Sequence, residues 1–182
     1  GIINHYRLML YFLFHRFENS ERYEGEKYAH MRVYFARALR RLLERFQPAP
    51  WTGRSLLDVG GAAGEFCSYF AEQAGCRCVN VDMDIRKIAR AAFQPSFIAS
   101  GAALPFRDST FDCVMSRGVI EHVPIELHER FVNECYRVMK PGGIGYLTSS
   151  PWFAPWAGHQ LAPFHIFPIS IPCARKNFFF NT

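Results

Sequence analysis

The chain has 182 residues, of which 49% are apolar and 20% charged, and its formal net charge is +5 at pH 7. That is ordinary globular composition: enough for one domain with a sizeable core, too little for two, and too apolar for a disordered chain. The mild basic excess suits an acidic partner but is equally common in plain enzymes, so it carries no strong nucleic-acid signal.

The six cysteines are Cys67, Cys76, Cys78, Cys113, Cys135 and Cys173. None forms a CxxC pair and no Cys/His set has zinc spacing, so no metal site is expected. Most fall in apolar segments, which reads as reduced thiols in a cytoplasmic protein. The apolar run 8–14 is too short to span a bilayer and lacks a following cleavage site, so neither a transmembrane segment nor a signal peptide is expected. The chain starts at Gly1, and residues 176–182 show neither a cap nor a period. Both ends read as cut from something longer.

Residues 22–46 read as a helix. Tyr34, Ala38, Leu42 and Phe46 recur at helical spacing, with Arg37, Arg40, Arg41 and Glu44 between them as a solvated face. Gln47-Pro48-Ala49-Pro50 ends it. This predicts a helical lid or extension over 1–47, an α/β domain over 51–150, and an aromatic and Pro-rich part over 151–182. Within the middle part, strands are expected at 55–59, 77–81, 96–99, 111–116 and 144–148. Helices are expected at 64–74, 85–92 and 125–139. Such alternation predicts a doubly wound, mostly parallel sheet whose strand C-termini form the ligand edge.

The most informative stretch is Leu56-Leu57-Asp58-Val59-Gly60-Gly61-Ala62-Ala63-Gly64-Glu65-Phe66. A buried strand runs into a turn of small residues and then a helix, so the backbone can approach a ligand closely. Dinucleotide enzymes also have a glycine turn. Two details separate the readings. Asp58 sits inside the strand end, where its charge would repel a pyrophosphate and suit a cationic amino group. The spacing is Gly60-x-Ala62-x-Gly64, not GxGxxG. About twenty residues on, Asp82 ends an apolar run, where an acid can accept both hydroxyls of a ribose. Met83 would then border an adenine. Taken alone, Asp82 and Asp84 also read as helix N-caps.

These residues resemble the class I S-adenosylmethionine-dependent methyltransferases, and within them the type 11 group that includes ubiquinone/menaquinone-biosynthesis enzymes. Five blocks carry the resemblance over roughly residues 50–150. They are the loop above, Val81-Asp82-Met83-Asp84, the run from Ala103 to Val114 (Leu104-Pro105-Phe106 and Asp112 within it), Glu121-His122-Val123, and the run from Glu134 to Pro141-Gly142-Gly143. The resemblance implies a Rossmann-like methyltransferase fold with S-adenosyl-L-methionine as cofactor. Asp58, Gly60, Gly61, Ala62 and Gly64 would surround its methionine part, and Asp82 would hold the ribose. Ser100, Gly101 and Ala102 would approach the adenine, and Ser116 and Arg117 would close on the methionine end. Pro141-Gly142-Gly143 would be the turn launching the fifth strand.

Three departures stand out. Ala62 replaces the middle loop glycine, and Ser100 stands where many relatives have an acid near the adenine. The residues after Thr148 are too few for the family's usual last two strands. On the acceptor side His122 is the candidate general base, with Glu121, His159 and His165 behind it. The aromatic segment 149–165 is expected to face the substrate, and the stretch 5–17 to act as a lid or to touch a membrane surface. The substrate reads as a small molecule, with a lean toward a hydrophobic or lipid-like one. The alternatives are a degenerate domain that binds only a cofactor or partner, and a nicotinamide-dependent oxidoreductase.

Overall fold

The computed structural model describes residues 26–48, 50–91 and 93–149, with side chains from Arg32 onward. The segments 5–17 and 151–165, with His159 and His165, lie outside the described residues, as does Cys173. Helix α1 covers Glu26–Phe46. There follow strand β1 (Ser55–Val59), helix α2 (Glu65–Ala74), strand β2 (Arg77–Asp82), short helix α3 (Ile85–Ala89) and strand β3 (Ser96–Ile98). Strand β4 (Phe111–Arg117), two 3-10 turns (Ile120–His122 and Ile125–Leu127), helix α4 (His128–Val138) and strand β5 (Met139–Thr148) complete the order.

All five strands pair in parallel, in the order β3-β2-β1-β4-β5. Strand β1 is central, and four of its five residues are buried, as expected for a strand covered on both faces. Alternate residues feed two cores. Leu56, Cys113 and Met115 meet Phe66, Cys67 and Phe70 of α2 together with Ala36, Leu39 and Leu43 of α1. Leu57, Val59, Val81 and Val114 meet Phe131, Cys135 and Val138 of α4 on the other face. The strand order reverses at β1, which opens a crevice between the C-terminal ends of β1 and β4. The doubly wound parallel sheet expected from the sequence is therefore present.

The strand starts are fixed by ionic and polar bonds. Asp112 Oδ2 accepts the Ser55 amide at 2.8 Å and the Ser55 hydroxyl at 2.7 Å, and its Oδ1 accepts from Lys140 at 2.8 Å. One carboxylate thus joins β1, β4 and β5 near their starts. Its neighbours overcome its partial desolvation and hold it at about 2, below the ordinary 3.8. Arg137 on α4 donates to the carbonyls of Leu104 and Phe106 and to Glu134, which holds the bend before β4 against α4.

Several boundaries differ from the sequence expectation. The buried stripe of α1 is Arg32, Ala36, Leu39 and Leu43. Tyr34, Leu42 and Phe46 of the expected stripe are exposed, at 70%, 39% and 71%. Both sets are helical in period, and only contact with β1 and α2 separates them. The C-terminal part of α1 thus shares the main core, and residues Arg32–Ser150 form one compact unit that begins upstream of the expected boundary at 47–50. Helix α3 ends at Ala89 instead of 92. The helix expected at 125–139 opens as a 3-10 turn, and its α-helical part spans His128–Val138.

Pro141-Gly142-Gly143 is not a separate turn before the fifth strand. It lies within β5, where the pairing to β4 shifts between Phe111↔Met139 and Cys113↔Ile144. A bulge of this kind accommodates a proline that cannot donate to the ladder. Gly142 takes φ +75°, and a Cβ on Gly143 would come within 3.0 Å of the Asp112 carbonyl.

The stripe of α1 can be checked by mutation. Leu43→Ala should cost about 2–5 kcal/mol in denaturant unfolding, as a buried Leu→Ala does. Leu42→Ala, one residue away, should cost under about 1 kcal/mol. Equal losses would contradict this helix orientation.

Candidate functional site

The site grows from the end of β1. Asp58 is paired in register with Asn80 of β2, and both are buried. The chain then turns through Gly60, Gly61, Ala62 and Ala63 into α2. Gly60 and Gly64 take φ of +77° and +82°, a region that L side chains rarely adopt. Space is limiting as well. A Cβ on Gly60 would lie 2.3 Å from Val119 Cγ2, and one on Gly61 would lie 2.2 Å from Asn80 Oδ1 and 2.5 Å from Asp58 Oδ2. Only glycine at 61 lets the backbone lie directly against those oxygens. Ala62 also has positive φ, 53°. Its methyl therefore costs backbone strain, whatever it does near a ligand.

Two side chains from β2 hold the loop from below. Asn80 Nδ2 donates to the Ala62 carbonyl at 3.0 Å and to Ser96 Oγ at 3.1 Å. Asp82 Oδ2 accepts the Ala62 amide at 3.0 Å, and its Oδ1 accepts the Asp84 amide at 2.9 Å. An ionised carboxylate has about four acceptor positions, so two remain on Asp82 after these bonds. Asp84 is the N-cap of α3, accepting from the Arg86 amide at 3.0 Å. Met83 beside it is 70% exposed at the open end of the sheet.

From above, α1 and β4 bring two arginines. Arg32 Nη2 donates to the Gly61 carbonyl at 3.3 Å and to Glu65 at 3.1 Å. Its guanidinium lies 4.9 Å from the Phe66 ring centroid, and that of Arg117 lies 4.7 Å from the same ring and 5.0 Å from Phe35. Such contacts let a cation sit among apolar groups. Arg32 was not visible as a candidate in the sequence. The signal available was its phase, four residues before Ala36 on the buried stripe, and the stripe chosen from periodicity was the neighbouring one.

Burial in this pocket pushes the Asp58 carboxyl from 3.8 up to about 7. Arg32 and Arg117 pull it back down, whereas Glu65 and Asp82 push it further up. The folded value is above the unfolded one, so the neutral acid favours the folded state. That contribution is fully present below about 3.8 and is lost as pH rises through about 7.

The remaining expected residues fall as follows. Ser116 is buried and donates to the Val59 carbonyl at 3.0 Å, so its hydroxyl proton holds the β1 end. Ser100 Oγ accepts the Ala102 amide at 3.2 Å. Gly101 is packed so that a Cβ would lie 2.2 Å from the Phe131 ring and 2.9 Å from Val59, which accounts for the glycine by packing alone. His122 is exposed on the 3-10 turn that follows Val119, the residue packed on Gly60. Among the described residues no group of three or more His, Cys, Asp or Glu could hold a metal, and no helix is long and apolar enough to cross a membrane. The five described cysteines are buried free thiols.

The loop makes a check of its own strain. Replacing Ala62 by glycine relieves about 1–2 kcal/mol of left-handed strain and loses roughly 0.4–1 kcal/mol to unfolded-chain entropy. Ala62→Gly should therefore raise the unfolding midpoint. A lower midpoint would contradict the loop conformation.

The methyltransferase-domain family matches residues 57–147. An uncharacterized methyltransferase of Mycobacterium leprae is 42% identical over 123 residues, covering 64% of this chain and 45% of its own length. The chain spans about half the length of the curated relatives it matches. Among solved structures, phosphoethanolamine N-methyltransferase 2 of Haemonchus contortus, in complex with S-adenosyl-L-methionine, is similar at a TM-score of 0.52 and 27% identity. It covers 59% of this chain and 26% of its own. The PH0226 protein of Pyrococcus horikoshii shares the fold at a TM-score of 0.57 and 24% identity, covering 71% of this chain and 66% of its own. With half the chain matched, from within the central strand β1 to within β5, the protein belongs to the methyltransferase-domain family.

Proposed function

We propose that this chain carries the cofactor-binding part of an S-adenosylmethionine-dependent methyltransferase acting on a small molecule. The observation that carries the reading is the carboxyl of Asp58, buried directly beneath Gly61 at the mouth of the β1–β4 crevice. A diphosphate over that loop would be repelled by the ionised form of this carboxyl and gain no positive partner from the neutral form, which disfavours a nicotinamide dinucleotide. An ammonium over the same loop is attracted to it, the more so in a dry pocket.

The residues fit the cofactor. Asp58 and the turn Gly60, Gly61, Ala62 and Gly64 would take its methionine part. Asp82, locked by two backbone amides and with acceptor positions to spare, would take the ribose hydroxyls. Met83, Ser100, Gly101 and Ala102 would border the adenine, with the Ser100 hydroxyl as the polar group on that side. Arg117 would close the methionine end, and Ser116 would serve there by fixing the end of β1. When bound, the cofactor supplies a methyl already activated on a sulfonium. The protein's part is then to align donor and acceptor and exclude water.

His122 is proposed as the general base for acceptors that must lose a proton. It is exposed on the 3-10 turn that follows β4, and an imidazole is the side chain most often used for proton transfer. The acceptor is proposed to be apolar or lipid-like, on the strength of the aromatic composition of 149–165.

Binding of S-adenosylhomocysteine, followed by calorimetry, tests the reading. Its affinity should rise as pH increases through about 7, because its ammonium binds the ionised form of Asp58. Asp58→Asn should flatten that dependence. NAD should not compete. Asp82→Ala should weaken S-adenosylhomocysteine by about 1–3 kcal/mol, the loss of charge-assisted hydrogen bonds. Unchanged affinity in Asp82→Ala would remove the ribose assignment.

A further inference from the structure

Asn80 is an amide in the middle of an apolar strand, fully buried and next to Asp58 in the parallel register of β1 and β2. Its orientation is set by its partners. The Ala62 carbonyl can only accept. Ser96 Oγ gives its proton to the Phe93 carbonyl at 2.8 Å, so it too accepts from Asn80. Nδ2 must therefore face the loop and Ser96, which leaves Oδ1 on the other side. That oxygen is buried and has no hydrogen-bond donor. Another oxygen, Asp58 Oδ2, borders the same space beneath Gly61. The two lie 2.2 and 2.5 Å from one point, the place a Gly61 Cβ would occupy.

A buried acceptor left without a donor next to a carboxyl is costly. A proton on the carboxyl removes the conflict. We propose that Asp58 is protonated in the unliganded protein and donates its O–H to Asn80 Oδ1, which makes Asn80 the positioning residue that sets when this carboxyl ionises. The groups facing the carboxyl divide evenly. Arg32 of α1 and Arg117 at the end of β4 favour the carboxylate, and Glu65 at the start of α2 and Asp82 at the end of β2 favour the acid. Around them lie the buried thiols of Cys67, Cys78 and Cys113, which are neutral. The hydrogen bond to Asn80 stabilises the acid form only.

On ionisation the proton leaves for solvent, and Asn80 cannot turn its Nδ2 toward the new charge without releasing Ala62. An ammonium brought over the loop supplies the missing positive charge, so ligand binding displaces the proton. This last consequence rests on the cofactor reading above. The location of the proton does not.

The test is a carbon-13 titration of the Asp58 carboxyl in the full chain without ligand, between about pH 5 and pH 9, around the ordinary carboxyl and imidazole ranges. The resonance is assigned by its loss in Asp58→Asn. The wild-type carboxyl should be protonated at the acid end and ionise near neutrality. In Asn80→Thr, whose hydroxyl can donate to a carboxylate, the proton affinity should fall at least roughly tenfold, one unit on the pH axis. The pH profile of S-adenosylhomocysteine affinity should move down with it. A folded Asn80→Thr with an unchanged midpoint would overturn the proposal. So would a wild-type carboxyl already ionised across the whole range, a result that needs no variant to fold. A shifted midpoint in a protein that fails to bind S-adenosylhomocysteine would support the placement of the proton while sinking the cofactor reading.

Discussion

A carboxyl group buried at the end of the central strand constrains most of what surrounds it. Asp58 is nearly inaccessible to water, and a charge so placed needs compensation. The chain provides it from two directions, Arg32 from α1 and Arg117 from the end of β4, with the Phe66 ring against both guanidiniums, while Asn80 of β2 stands beside the carboxyl without donating to it. The turn above must be made of small residues, because any Cβ at 61 would strike Asp58 and Asn80. The glycine turn is thus as much a consequence of the buried acid as a device for approaching a ligand.

The same constraint explains why α1 belongs to the core. Arg32 reaches the Gly61 carbonyl and Glu65 only because Ala36, Leu39 and Leu43 seat α1 against α2 and the sheet. The helix therefore helps to hold the loop, and its packing and the electrostatics of the crevice are linked through one side chain. Methyl transfer from a sulfonium asks the protein mainly for alignment. A loop held from below by Asn80 and Asp82 and from above by Arg32 is suited to that demand.

Much of this was legible in the sequence. The five strands, their parallel pairing and the ligand edge follow from alternating apolar blocks. Asp58, Gly60, Gly61, Gly64 and Asp82 stand out by spacing, and the structure brings them together around one turn. What escaped the sequence depends on long-range contact. Two stripes of α1 have the same period, and only the neighbouring α2 and β1 decide that Leu39 and Leu43 are buried while Leu42 and Phe46 are not. With the stripe misplaced, Arg32 did not stand out as a candidate. Asn80 passed for part of an apolar run, since its partners Ala62 and Ser96 are distant in sequence. Pro141-Gly142-Gly143 resembles a turn by composition, and becomes a bulge only because Met139 pairs with Phe111 ahead of it. The glycine at 101 also has a packing reason that the sequence does not show, since Phe131 fills the space its side chain would need.

The central claim is electrostatic: the turn at the end of β1 accepts an ammonium because a carboxyl beneath it gives up a proton to receive one. Calorimetry of S-adenosylhomocysteine binding near neutral pH, repeated in buffers of different ionisation enthalpy, counts the protons exchanged. A net release that disappears in Asp58→Asn is the predicted result. No exchange, or an uptake of protons, would contradict it.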